Sequence, residues 1–214
     1  MIVQGNVGQP ASSTIAPGTP VTARLGGLAD LIITELQGRY FENVYRGNVF
    51  TASQAAVGST IIAANVSPVA AGAAALFTLY NVSGNTKNAV ILRTVVNQVS
   101  GTPGGGLVFN VIPPPCGITA AGNITPLNNL NFAAAGSQMR ILSQTALTGS
   151  ALATMFRPIG GPAAVAVGAG VYSIDEETAG DIIVVPGAAL IIAVTATGTT
   201  NIVSCSLTWA EVPV

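Results

Sequence analysis

Toward the C-terminus, Val203, Cys205, Leu207 and Trp209 alternate with Ser204, Ser206 and Thr208. A period of two puts the apolar side chains on one face of an extended strand and the hydroxyls on the other. Segments of this kind recur at 48–52, 76–82, 89–99, 107–112, 139–143, 163–174, 182–185, 189–195 and 203–212. Gly- or Pro-bearing turns separate many of them: Ser83-Gly84-Asn85, Gly101-Thr102-Pro103-Gly104-Gly105-Gly106, Pro186-Gly187 and Thr197-Gly198-Thr199. Short strands of this number bury their apolar faces by stacking two sheets, so the expected fold is all-β, a jelly-roll-like β-sandwich.

Within that frame, 89–99 is apolar on both faces, with Val90, Leu92 and Val96 on one and Ile91, Val95 and Val99 on the other. This predicts a central strand or one covered by another subunit. The stretch 112–138, with Pro113-Pro114-Pro115 and little periodicity, reads as an extended surface loop. At the other end, residues 1–23 set Gly, Pro, Ser and Thr between single apolar residues and contain no charge. They read as an extended N-terminal arm preceding a sandwich domain over 24–214. Residues 24–46 hold Arg24, Asp30, Glu35, Arg39, Glu42 and Arg46. Leu28, Leu31, Ile32, Glu35 and Leu36 fit a helix stopped at Gly38, whereas Ile32 and Ile33 favour a strand over 30–36.

Half of the chain is hydrophobic and only 7% is charged, against about a quarter in an ordinary soluble domain. Its surface must be covered by neutral polar side chains or by other protein, which predicts an oligomer. A mean hydropathy of +0.61 raises the question of a membrane span. The most apolar stretch, 182–194, is interrupted by Pro186-Gly187 and falls short of the ~20 residues a spanning helix needs. It predicts two strands and a turn, with no membrane partner. Met1-Ile2-Val3-Gln4-Gly5 lacks the basic and apolar regions of a secretory signal, so nothing is expected to direct export. Three glycosylation sequons, at Asn65, Asn81 and Asn123, are then chance matches.

The chain contains no histidine. Ser-His-Asp and Cys-His machinery and the His-Glu-x-x-His zinc motif are thereby excluded within it. Lys87, the one lysine, is not preceded by a phosphate-binding glycine loop. Paired carboxylates could still serve glycoside hydrolysis, but one Trp and four Tyr provide few stacking platforms for sugars. No catalytic residue and no cofactor are expected. Cys116 and Cys205 form no disulfide framework. Cys205 reads as core packing, and two thiols without histidine do not complete a zinc site. Asp175, Glu176, Glu177 and Asp181 are acidic enough for calcium but do not follow EF-hand spacing, and a solvated turn explains them equally. Seven basic residues against eight acidic, at a pI of about 5.2, give no field for nucleic acid. Arg39, Tyr40, Glu42, Tyr45 and Arg46 are instead expected at an inter-subunit contact, with an arginine pairing to Glu35 or Glu42, because Arg and Tyr are enriched at such contacts.

The run Glu35-Leu36-Gln37-Gly38-Arg39-Tyr40-Phe41-Glu42-Asn43-Val44-Tyr45-Arg46-Gly47-Asn48-Val49-Phe50-Thr51-Ala52-Ser53 resembles a recurring segment of virion structural proteins of tailed bacteriophages. Leu79-Tyr80-Asn81-Val82-Ser83-Gly84-Asn85-Thr86-Lys87-Asn88-Ala89-Val90-Ile91-Leu92 resembles the group's turn between two inner strands. Leu207-Thr208-Trp209-Ala210-Glu211-Val212-Pro213 resembles its closing strand. The resemblance implies a capsid decoration, or cement, protein without catalysis. It would be a homotrimer made in the host cytoplasm and bound to the major capsid protein on the outside of the virion. A head or tail fibre that binds host glycans is the alternative, and a carboxylate-dependent glycan depolymerase a more remote one.

Overall fold

A computed structural model describes residues 39–55, 57–70, 72–134, 136–147, 153–161 and 172–214. The expected arm over 1–23, the helix-or-strand segment 28–36 and most of the expected strand 163–174 lie outside the described residues. The chain divides into two compact units, Met1–Phe41 and Glu42–Val214.

A one-turn helix, α1 (Phe41–Tyr45), leads into the strands. In chain order these are β1 (Val49–Ser53), β2 (Ser59–Thr60), β3 (Ala74–Ala75), β4 (Phe77–Asn81), β5 (Lys87–Thr102), β6 (Leu107–Ile112), β7 (Leu127–Asn128), β8 (Met139–Leu142), β9 (Thr145–Ala146), β10 (Thr154–Gly160), β11 (Ser173–Val184), β12 (Ala189–Val194) and β13 (Thr199–Pro213). One sheet runs β11-β5-β13-β1-β7, with β2 also on β13. The second runs β10-β6-β12-β4-β8. The principal antiparallel pairs are nested: β1 with β13, β4 with β12, β5 with β11 and β6 with β10. Successive pairs fall in alternate sheets, as in one long hairpin rolled over on itself, which is the jelly-roll form of β-sandwich.

Between the sheets, alternation delivers Phe50 and Ala52 from β1, Ile91 and Val96 from β5, and Cys205, Leu207 and Trp209 from β13. Phe77, Leu79, Phe109, Leu190 and Ile192 meet them from the second sheet. Phe50 and Trp209 stack with ring centroids 6.2 Å apart. The second sheet is apolar on its other face too, and a separate cluster of Tyr80, Val108, Ile112, Ala189, Ile191 and Ala193 forms there against Val69, Cys116, Ile118, Leu147 and Ala153.

Three expectations change. The segment 112–138 is not merely a surface loop: Cys116 and Ile118 cover the second sheet, and β7 extends the first beside β1. Strands β4 and β12 are buried along their whole length, so a third layer is required, and isolated apolar residues between Pro and Gly supply it without any periodicity. Strand β5 is central, between β11 and β13, but its two faces are not those of a regular strand. Trp209 pairs Ile91 while Thr208 pairs Arg93, so Leu92 is an extra residue that brings Ile91 and Val96 to the same face. Finally, Asp175, Glu176 and Glu177 lie on β11 rather than in a turn, and Asp181 lies within the bulge between Glu177 and Ile182.

Cys205 is core, as its register predicts, and both cysteines are free and buried. Burial pushes both thiols up from the ordinary cysteine range. Since the thiolate is the reactive form, neither cysteine should react with Ellman's reagent in the folded protein, while both should react once it is unfolded in guanidinium. Reaction of either at native conditions within minutes would contradict this burial.

Candidate functional site

The segment expected to make a subunit contact begins at the turn Arg39–Tyr40, where the Arg39 guanidinium lies over the Tyr40 ring, 5.5 Å from its centroid. Phe41 and Tyr45 follow on α1. Four residues apart, they share a helix face, and each is about half exposed, at 42% and 54%. Gly47, at φ +71, ends the helix in the left-handed conformation glycine adopts without penalty. The Gly47 and Asn48 amides donate to the carbonyls of Val44 and Asn43, and Asn128 Nδ2 donates to Gly47 O at 2.7 Å. Arg46 is exposed at the helix end, immediately before β1. Tyr45 and Arg46, neighbours in the chain, are thus both exposed at the entry to the first sheet. Glu35 and the side chain of Glu42, named as carboxylate partners, lie outside the described residues.

The acidic residues of β11 face arginines. Arg93 Nε donates to Asp175 Oδ1 at 2.7 Å and Nη2 donates to Oδ2. Those hydrogen bonds hold the Asp175 carboxyl below the usual aspartate range. Arg157 on β10 donates to Asp181 at 2.8 Å and Glu176 at 2.9 Å, with its guanidinium 5.8 Å from the Phe109 ring centroid. Alternation along β11 also sends Asp175 and Glu177 away from Ile174 and Thr178. Among the described residues no group of three or more acids, cysteines or histidines converges as metal ligands would. The acidic run therefore ties the two sheets together through Arg157.

Glu211 was not singled out by motif reasoning, and it is the most enclosed carboxylate described. It is 1% exposed, accepts from Ser137 Oγ at 2.6 Å, from the Gln138 amide at 3.0 Å and from Trp209 Nε1 at 3.4 Å, and lies 3.6 Å from Lys87 Nζ. Its signal was the register of β13: positions 203, 205, 207, 209 and 211 share the inward face.

Comparisons with protein-family models, curated proteins and solved structures return no match to this chain.

The remaining surface divides sharply by chemistry. Beside the Arg93–Asp175 pair, the outer face of the first sheet carries rungs of neutral polar groups, with Thr51 and Thr208 hydroxyls 3.0 Å apart, Ser53 donating to Ser206 at 2.8 Å and Ser173 donating to Asn97 at 2.6 Å. By contrast, β10 and β11, each the last described strand of its sheet, expose Met155, Phe156 and Ile183, all more than half accessible. Strand edges bearing apolar side chains are contact surfaces in proteins that stay soluble.

Proposed function

We propose that the chain is a structural component of a bacteriophage particle, a capsid decoration protein that stabilises the head through contacts with itself and with the major capsid protein. In this reading it is a homotrimer, made in the host cytoplasm and placed on the capsid exterior, and it acts without catalysis, cofactor, nucleic acid or membrane. The observation that carries the reading is that Met155, Phe156 and Ile183 stay more than half exposed on β10 and β11, the last described strand of each sheet, although the Arg157 ion pairs lie beside them and the chain as a whole is only 7% charged. The resemblance of 35–53, 79–92 and 207–213 to virion proteins agrees with it. The Arg39, Tyr40, Glu42, Tyr45 and Arg46 segment is a second contact, chosen for the residue types that dominate interface energetics.

Imaging of intact particles tests the assignment through copy number. Hundreds of copies on the head are expected, while a dozen or fewer, or copies confined to the tail, would transfer the chain to a fibre role. In solution, the protein should sediment as a trimer at micromolar concentration, and Arg39→Ala or Arg46→Ala should shift it towards monomer or reduce capsid occupancy. Deletion of 1–23 should leave the circular dichroism of the sandwich unchanged and weaken capsid binding. A wild-type monomer, or unaltered occupancy in all three variants, sinks the corresponding contact.

A further inference from the structure

A groove of about 380 Å³ opens on the outer face of the first sheet, lined among the described residues by Thr51, Ser53, Thr125, Leu127, Asn129 and Phe132. Its floor is set by strand register. Phe50 and Ala52 point into the core, so Thr51 and Ser53 point out, and β7 pairs Leu127 beside Thr51. Its wall is the loop after β7, held by a dense local network. Asn128 accepts the Leu130 amide on its side chain at 2.9 Å and the Phe132 amide on its carbonyl at 2.7 Å, while its own amide donates to Ala133 O at 2.9 Å. The Ala133 amide in turn donates to Asn131 Oδ1 at 3.0 Å.

That loop presents Phe132 in an unusual way. The residue is 77% exposed and sits at φ +57, a left-handed conformation that is an outlier for a bulky side chain. Burial does not stabilise this ring, and its backbone opposes the fold. Strain of this kind concentrates where a side chain is positioned for a ligand.

We propose that the groove is a subsite for a neutral carbohydrate, with the Phe132 ring as the platform for a sugar's C–H face and Thr51, Ser53, Thr125 and Asn129 as partners for its hydroxyls. The lining chemistry selects this class. No lining side chain is charged, so a phosphate or carboxylate would lose its water without gaining a counter-charge. A purely apolar ligand would cover the Thr125 hydroxyl and the Asn129 amide without giving either a partner, and would leave unused the remaining capacity of Thr51 and Ser53, which already bond Thr208 and Ser206. A pyranose presents an apolar face and a rim of hydroxyls together. Ser53, which donates to Ser206, keeps acceptor capacity for such a hydroxyl. The volume lies at the lower end of small-ligand pockets, about 300–1,000 Å³, and suits a short stretch of sugar rather than a folded partner. Nothing here depends on the decoration reading.

The test is an array of neutral and acidic glycans probed with the full chain, followed by calorimetry on whichever glycan binds. Binding confined to neutral glycans is expected, with Phe132→Gly weakening it by about tenfold or more while keeping or raising the thermal midpoint, because glycine relieves the positive φ. Phe132→Trp should retain binding and report it by fluorescence, since the native Trp209 is fully buried. Three results would overturn the proposal: no neutral glycan bound, equal binding of acidic glycans, or undiminished binding by Phe132→Gly. Dissociation of the oligomer by Phe132→Gly would likewise assign the groove to a subunit contact instead.

Discussion

Glu211→Leu should lower the thermal midpoint by about 10 °C, taking ~1–3 kcal/mol for each of the two enclosed donors left without an acceptor and ~2–4 °C per kcal/mol for a chain of this size. The carboxylate joins three separate pieces of chain. It lies on β13, accepts from Ser137 and Gln138 just before β8, and approaches Lys87 at the start of β5. Leucine would fill the space but leave the Gln138 amide and the Trp209 indole N–H enclosed without acceptors, the more costly half of losing a hydrogen bond. Glu211→Gln keeps one acceptor oxygen while presenting an amide to Lys87, and its loss should be intermediate. Hydrogen exchange gives a second readout: the Gln138 amide should lose protection in Glu211→Leu before the β13 amides do. Wild-type stability in Glu211→Leu would mean that the site is open to water and the carboxylate dispensable.

An effect of comparable size is expected where two glycine-bearing turns cross. A Cβ on Gly104 would lie 1.7 Å from Thr197 O, and one on Gly198 would lie 1.8 Å from Thr102 O. The turn after β5 and the turn after β12 are therefore in backbone-to-backbone contact, reinforced by the Thr195 amide donating to Gly106 O at 2.9 Å. Backbone carbonyls cannot rotate aside as a side chain can, so Gly104→Ala or Gly198→Ala must separate the turns. Each should cost ~3 kcal/mol, the upper part of the range for overpacking, read as a lower urea midpoint with an unchanged slope. Gly84 is the control. It has φ +90 but nothing within 4 Å of its absent Cβ, so Gly84→Ala should show backbone strain alone, ~1 kcal/mol. Equal effects at Gly84 and Gly104 would refute the close crossing.

These two sites show where local reading stops. Alternation in 203–212 located the inward face of β13, including Cys205, and a careful use of the same register would have found Glu211. The segment 107–112 became β6 with those bounds, because one face of it meets the opposite sheet and its side chains record that fact. Strand β10 left no such record. Thr154, Met155, Phe156, Arg157 and Pro158 do not alternate, since β10, paired among the described residues with β6 alone, is ordered by that ladder rather than by burial. The ion pairs of Arg93 and Arg157 were equally hidden, as their partners are 82, 19 and 24 positions away.

Composition and periodicity alone already specified an all-β sandwich, named most of its strands and excluded histidine-dependent chemistry, because each of those properties is local or additive along the chain. Long-range assembly settled the nesting of pairs, the bulge at Leu92, the third layer drawn from the loop after β6 and the groove at Phe132. Backbone hydrogen bonds are the same for any pair of strands, so partners and register follow from which faces can be buried together, and that is a property of the whole folded chain.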